Sequence, residues 1–195
     1  ATQGVLIGGT SGGFFHNISS TRCAGDGIIL EDTNNAVMTA IATSNNGGHG
    51  MVCRGGIGSV QIHQIQANHN RKTNLYITGV GGVGANAQPH VLFIGGVLEW
   101  SSEYDNGTAT GGSASTLVDS GASWTANDLA GAWVSMDPDG GNQEGRRIVS
   151  NTATTITVTP DWTTPPTTED YLIVFPAVTV CGGDVGFYQA AIVNA

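Results

Sequence analysis

Charge is what this sequence has least of. Only 11% of its residues are charged, with 6 Lys and Arg against 15 Asp and Glu, where an average domain carries about a quarter. No Lys or Arg occurs between Lys72 and Arg146, and the formal net charge is −9. A nucleic-acid partner requires a basic face to displace phosphate counterions, and no such face can be assembled. No apolar run reaches the roughly 18 residues of a membrane-spanning helix, so membrane insertion is not expected. The charged and apolar regions of a leader peptide are also missing, and the start at Ala1 without Met points to a processed or excised fragment. Cysteine is scarce too. Cys23, Cys53 and Cys181 make an odd set without metal-ligand spacing, which reads as free thiols packed like small hydrophobes.

In place of charge the chain carries 30 Gly, with abundant Thr, Ser and Asn. Short aliphatic runs punctuated by Gly, Asn and Asp argue for an all-β protein with many tight turns. The 195 residues suffice for one ordinary domain or two small ones, and a hydrophobic content of 39% allows a real core.

The runs repeat. "GDGIILEDTN" at 25–34 is followed 23 residues later by "GHGMVCRGGI". Val5-Leu6-Ile7, Ile28-Ile29-Leu30 and Met51-Val52-Cys53 share one register, and with a one-residue slip the series reaches Leu75-Tyr76-Ile77. Phe14, Val37, Val60 and Val91 form a second line, and Ile18, Ile41 and Ile65 a third. Helical repeats are longer and avoid this much Gly, and leucine-rich repeats need a Leu and Asn skeleton that is absent. A right-handed parallel β-helix of about 23 residues per coil, with three short strands and three turns in each, is the best match. Stacking then predicts like-on-like neighbours: an amide ladder at Asn45 and Asn68, an ion pair of Glu31 with Arg54, and Asp26 and His49 in equivalent turns. The end coils of such a solenoid need covering.

The repeat breaks twice. After Ile77 comes the glycine-rich "TGVGGVGANAQPH", expected to be a lateral loop from an unbroken coil, because "VLFIGGVLEW" (91–100) then resumes the pattern. From "SSEYDNGTATGG" onward the register is lost, and residues 108–175 read as alternating antiparallel strands. This predicts a small inserted β-barrel or sandwich-like module. The expected organisation is therefore coils over 1–107, the module over 108–175, and a return to the β-helix or an end cap over 176–195.

The coil pattern, with "VLFIGGVLEW" after a Gly-rich loop, resembles the pectate-lyase-like β-helices of bacteriophage tailspikes. The segment "STLVDSGASWTANDLAGAWVSM…GRRIVSNTATTITVTPDW" is similar to small β-modules of phage tail and other virion proteins. Together they touch most of the chain, without a diagnostic catalytic motif. The resemblance implies a virion location at the tail or capsid surface, acting outside the cell. It also implies a homotrimer that meets other virion proteins and binds or cleaves host-surface polysaccharide. A purely structural capsid or tail decoration protein is the third reading.

If the chain is a depolymerase, hydrolase or lyase, Glu99, Glu103 and Asp105 are the catalytic candidates, with Trp100 and Tyr104 as the glycan-binding rings. Glycosidases need two carboxylates about one bond, and rings hold sugar faces. On one strand Glu99 and Glu103 would share a face. A polar strand end leading into a domain junction explains the same residues, and is preferred. Asp26, Glu31 and Asp32 read as turn and ion-pair residues rather than a site. "DPDGGNQE" offers oxygen ligands at Asp137, Asp139 and Asn142 but lacks a calcium-loop spacing, and a hairpin turn accounts for it. His49, His63 and His69 have no matched third ligand, so no metal is expected. No phosphate loop, Ser-His-Asp order or Cys-His cluster occurs, so no cofactor is implied. The net acidity favours neutral over acidic glycans.

Overall fold

The computed structural model describes residues 3–79, 90–99, 101, 103–137, 143–181 and 184–192. Within them every regular element is a strand, and the chain divides into two compact units, Ala1–Ser102 with Pro176–Ala195, and Glu103–Phe175.

The first unit is stacked like a β-solenoid. Short strands β1 (Val5–Gly8), β3 (Ile28–Glu31), β5 (Met51–Gly55) and β7 (Leu75–Gly79) alternate with long strands β2 (Ser11–Thr21), β4 (Asn34–Ser44), β6 (Val60–Asn68) and β8 (His90–Leu98). After the second unit the chain returns as β16 (Val178–Val180) and β17 (Asp184–Ile192). All pairs are parallel, giving one sheet in the order β1-β3-β5-β7-β16 and another in the order β2-β4-β6-β8-β17. The tail thus resumes the solenoid: Val178 pairs with Leu75 and Val185 with Val91. Residues 80–89 of the glycine-rich loop lie outside the described residues. The pairs on either side, Gly55 with Gly79 and Val60 with Val91, show that the coil continues past it.

The expected third strand of each coil is present as a bend. Asn17, Ala40, Gln64 and Gly95 all adopt positive φ, between 54° and 66°, at equivalent places inside β2, β4, β6 and β8. One left-handed residue per rung folds each long strand into two arms. Further left-handed columns form the other corners: Gly9, Asp32 and Gly55, and then Arg22, Asn45 and His69. A corner has to recur at one height in every rung, so the strain of a left-handed non-glycine residue recurs with it.

The inner column of the first sheet, Ile7, Ile28, Leu30, Met51, Cys53, Leu75 and Ile77, is buried against Met38, Ile41, Ile62, Ile65, Val91 and Phe93 of the second. Of the three free cysteines only Cys53 is buried, and burial pushes its thiol up to about 12. The ladder of amides is real, but it runs through Asn46 and Asn70 rather than Asn45 and Asn68. Asn46 Nδ2 donates to Asn70 Oδ1 at 2.8 Å, Asn70 Nδ2 donates to Asn74 Oδ1 at 2.6 Å, and Asn74 Nδ2 donates to the Glu99 carbonyl. Asn45 and Asn68 are linked by backbone instead. The glycines of the repeat make room for this chain of amides. A Cβ on Gly27 would stand 2.5 Å from Asn46 Nδ2, and one on Gly50 would stand 2.5 Å from Asn70 Nδ2.

One expected line dissolves. Phe14 and Val37 pair with Gln61 and Leu92, whereas Val60 pairs with Val91. Glu31 pairs with Arg54 at an offset of 23, but Met38 pairs with Ile62 at 24, so the turn after β5 holds one extra residue. With a period of two, that single residue reverses the face. Val60 and Val91 point inward, and Phe14, 81% exposed, points out.

The second unit is one antiparallel sheet in the order β10-β11-β14-β13-β12-β15-β9. Its strands are β9 (Glu103–Thr108), β10 (Gly111–Ser113), β11 (Thr116–Val118), β12 (Trp133–Met136), β13 (Glu144–Asn151), β14 (Thr155–Thr159) and β15 (Asp170–Val174). β9 belongs here because it pairs with β15, Thr108 opposite Asp170. A separate core of Leu117, Trp124, Leu129, Val134, Ile148, Ile156, Trp162, Tyr171 and Ile173 lies within it.

Candidate functional site

The acids singled out in the sequence fall in two places, Glu99 beyond β8 and both Glu103 and Asp105 in β9. Glu99 follows β8 in the solenoid, where its N–H donates to the Ala67 carbonyl at 2.9 Å. Glu103 opens β9 in the module, opposite Val174. The two therefore do not share a strand. Trp100 lies outside the described residues, and of Glu103 only the backbone is described.

Asp105 and Tyr104 are engaged within the module. Asp105 Oδ2 accepts the indole N–H of Trp124 at 2.6 Å, and Oδ1 accepts the Asn106 N–H. Tyr104 sits at a bulge in β9, packs edge-on against Phe175 with centroids 5.3 Å apart, and donates its hydroxyl to Asp128 Oδ2 at 2.6 Å. The same pattern occurs a third time. Tyr171, 2% exposed, donates to Asp119 Oδ2 at 2.6 Å, and its phenol is held far above the ordinary range by burial and by the adjacent Asp119. Each of these carboxylates satisfies the polar end of an aromatic side chain packed in or against the module's core.

The turn acids also have structural partners. Asp26 Oδ1 accepts the His49 N–H at 2.8 Å, and Asp32 Oδ1 accepts the Gly56 N–H at 2.7 Å, each bracing a turn in the next coil. Arg54 places Nε and Nη2 at 3.1 and 2.8 Å from Glu31 Oε2. That pair is about 40% exposed and contributes well under ~1 kcal/mol. Of the three histidines, His49 stacks on Tyr76 with centroids 4.6 Å apart. Among the described residues no three His, Cys, Asp or Glu side chains gather as a metal site. In "DPDGGNQE", residues 138–142 lie outside the described residues.

Two surfaces escaped the sequence reading. The first is a cleft of about 780 Å³ in the module, lined by Asp137, Glu144, Arg146, Thr163 and Glu169 among others. Arg146, Glu144 and Glu169 among them are held by neighbours. Arg146 is paired with Glu144, hydrogen-bonded to the Asp161 carbonyl at 2.9 Å, and placed over the Trp162 ring. Glu144 is held below its ordinary range: burial works against this, and the Thr163 N–H and hydroxyl with Arg146 outweigh it. Glu169 is held low by the Thr167 and Thr168 N–H groups. Among the described residues, Arg146, Glu144 and Glu169 brace the cleft through bonds within the module.

The second is the outer face of the sheet β2-β4-β6-β8-β17. Two rows of residues run across its rungs. One is Phe14, Val37, Gln61 and Leu92; the other is His16, Thr39, His63, Ile94 and Tyr188. Phe14 is 81% exposed and Tyr188 62%. Imidazoles and polar side chains are interleaved: Thr39 Oγ1 lies 2.5 Å from His16 Nδ1, and His63 Nε2 lies 3.3 Å from Gln61 Oε1. A third row, past the bend, carries Ser19, Ala42, Gln66 and Val97. Strands β2, β4, β6 and β8 contain no Asp, Glu, Lys or Arg at all. On a chain of net charge −9 this is a large wall without carboxylate, ammonium or guanidinium groups on these four strands, mixing rings, hydroxyls and amides. The sequence signal was an exposed Phe14 in a strand without charges, hidden by the assumption that Phe14 and Val60 share a face.

No protein family, no curated protein and no solved structure matches this chain.

Proposed function

We propose that this chain is part of a bacteriophage tailspike or related virion appendage, a rigid and homotrimeric β-solenoid that attaches to host-surface glycan. The observation that carries the reading is the outer wall of the β2-β4-β6-β8-β17 sheet, free of Asp, Glu, Lys and Arg on β2, β4, β6 and β8, with its exposed Phe14, His16 and Tyr188 and half-buried His63. Sugars present C–H faces that stack on rings and hydroxyls that exchange hydrogen bonds with amides and alcohols, and this wall offers both. A parallel stack in which every backbone group finds its partner in the next rung also keeps such rows at fixed spacing. Attachment is favoured over cleavage because Asp105 is bound to Trp124 and Tyr104 to Asp128.

The test is a binding screen of the chain against host-type polysaccharides, with product analysis in parallel. Attachment expects retention of glycan without new reducing ends or unsaturated products, and a roughly tenfold loss of affinity for Phe14→Ala or Tyr188→Ala, the scale of one stacked ring. Release of products, abolished by Glu103→Gln, would establish a depolymerase instead. Stoichiometric binding to intact particles with no glycan retained would establish a decoration protein.

A further inference from the structure

Resting on the attachment reading, the geometry of the same wall points to the ligand's class and direction. We infer that it is an uncharged, extended polysaccharide lying along the stacking axis, with one sugar over each rung. Charge sets the class. None of the described side chains at the outward positions of β2, β4, β6 and β8 is Asp, Glu, Lys or Arg, and β17 adds only Asp184 at its start. No guanidinium or ammonium therefore stands on these strands to meet a uronate or sialate, and an acidic chain approaching a protein of net charge −9 is repelled.

Spacing sets the direction. Within a rung the left-handed bend at Asn17, Ala40, Gln64 and Gly95 divides the outer face into two short arms, so a ligand lying along a strand would have to turn at the bend. Across the rungs the rows run straight. His16, Thr39, His63, Ile94 and Tyr188 are successive partners through five strands, a span of about 19 Å at the usual strand separation. That separation is close to the length of one pyranose ring in an extended chain, so sugar and rung remain in step instead of drifting apart. The two rows, Phe14 to Leu92 and His16 to Tyr188, would flank the chain on either side.

The test uses calorimetry of the whole chain with polymers of known charge: mannan, amylose and a mixed-linkage glucan as neutral probes, polygalacturonate and hyaluronate as acidic ones. Oligosaccharides of the best neutral probe, from disaccharide to octasaccharide, follow. The expected result is binding to a neutral polymer that added salt does not weaken, with affinity rising several-fold per sugar to about the pentasaccharide and then levelling. Salt-sensitive binding of an acidic polymer overturns the class while attachment stands. A plateau already at the disaccharide overturns the axial direction. If no polymer of either kind binds, the attachment reading itself fails. An oligomer that Phe14→Ala dissociates would then assign the wall to contacts between copies.

Discussion

Asn46, Asn70 and Asn74 in the solenoid and Asp105, Asp119 and Asp128 in the module are both sets of polar side chains closed against protein, but they solve different problems. The amides are 2%, 0% and 0% exposed, and each can donate and accept, so one chain of like residues links Asn46 to the next rung at Asn70 and then closes that rung's turn at Asn74. The aspartates accept only, and each terminates a single donor from an aromatic side chain, Trp124, Tyr171 or Tyr104. A repeating fold favours a group that can be its own partner. A non-repeating sheet needs three separate pairings at its margin, where a carboxylate keeps some contact with water. This difference bears on function as well. The charge that the solenoid excludes from its long strands is used in the module to hold aromatic rings, which leaves the outer wall neutral and those acids occupied.

Breaking the amide chain should have the largest effect. Asn70→Ala removes the acceptor of Asn46 N–H and Nδ2 and the donor to Asn74 Oδ1 and Thr43, all in a buried corner. At ~1–3 kcal/mol per orphaned buried group, a loss of about 3 kcal/mol or more is expected. Of the four tryptophans, Trp124, Trp133 and Trp162 belong to the module and Trp100 to the other unit, so unfolding is followed in a Trp100→Phe background. Urea unfolding followed by circular dichroism should therefore shift, while the tryptophan fluorescence of the module moves little. Coincident shifts in both signals would mean that the two units unfold as one.

Alkaline pH should separate the units next. The Cys53 thiol is raised to about 12 in the folded solenoid, and an unfolded thiol titrates near ~8.5. The stability this represents is intact below the unfolded value and is lost as pH climbs from there toward 12, by on the order of 1.4 kcal/mol per pH unit. Tyr171 in the module is raised as well, and an unfolded phenol titrates near ~10, so the module's loss begins higher. The solenoid transition should weaken first, and Cys53→Ala should flatten its slope above pH ~9. An unchanged slope in that variant would remove Cys53 from the explanation.

A smaller effect is expected for Tyr171→Phe, which leaves the ring in the core and deletes only the bond to Asp119. Asp119 keeps the Gly121 N–H at 2.8 Å, so the loss should be about 1.5–3 kcal/mol, the range for a bond to a charged group. It should be confined to the fluorescence-detected transition. An equal loss in the solenoid signal would contradict the separate cores.

The solenoid was legible in the sequence because stacking demands identity. Gly27 above Gly50, Glu31 above Arg54, and Ile29 above Val52 all announce the period without any knowledge of the turns. What sequence could not fix was the content of each turn. One residue more between Arg54 and Val60 took Val60 and Val91 out of the column of Phe14 and Val37, set Asn46 against Asn70, and concealed the outer wall. The tail at 176–195 was readable only as a return or a cap, because pairing with β7 and β8 spans an insertion that no local pattern bridges. The acids near Glu103 looked alike on the page. Only folding reveals that Asp105 meets an indole from 19 residues away.

The smallest expected effect tests the repeating corner itself. Asn17, Ala40, Gln64 and Gly95 share one left-handed bend, but only the last is the residue type that adopts it without strain. Ala40 has no side-chain hydrogen bond to compensate, and its φ is 55°. A left-handed conformation costs an L-residue roughly 1–2 kcal/mol, against which glycine's extra freedom in the unfolded chain costs ~0.5–1 kcal/mol. Ala40→Gly should therefore stabilise the solenoid by about 0.5–1 kcal/mol, an increase in the circular-dichroism midpoint with the module's fluorescence midpoint fixed. Gly95→Ala should do the opposite. A destabilised Ala40→Gly would show that the methyl group packs usefully between rungs, so that the corner tolerates its backbone strain for contacts rather than for lack of a glycine.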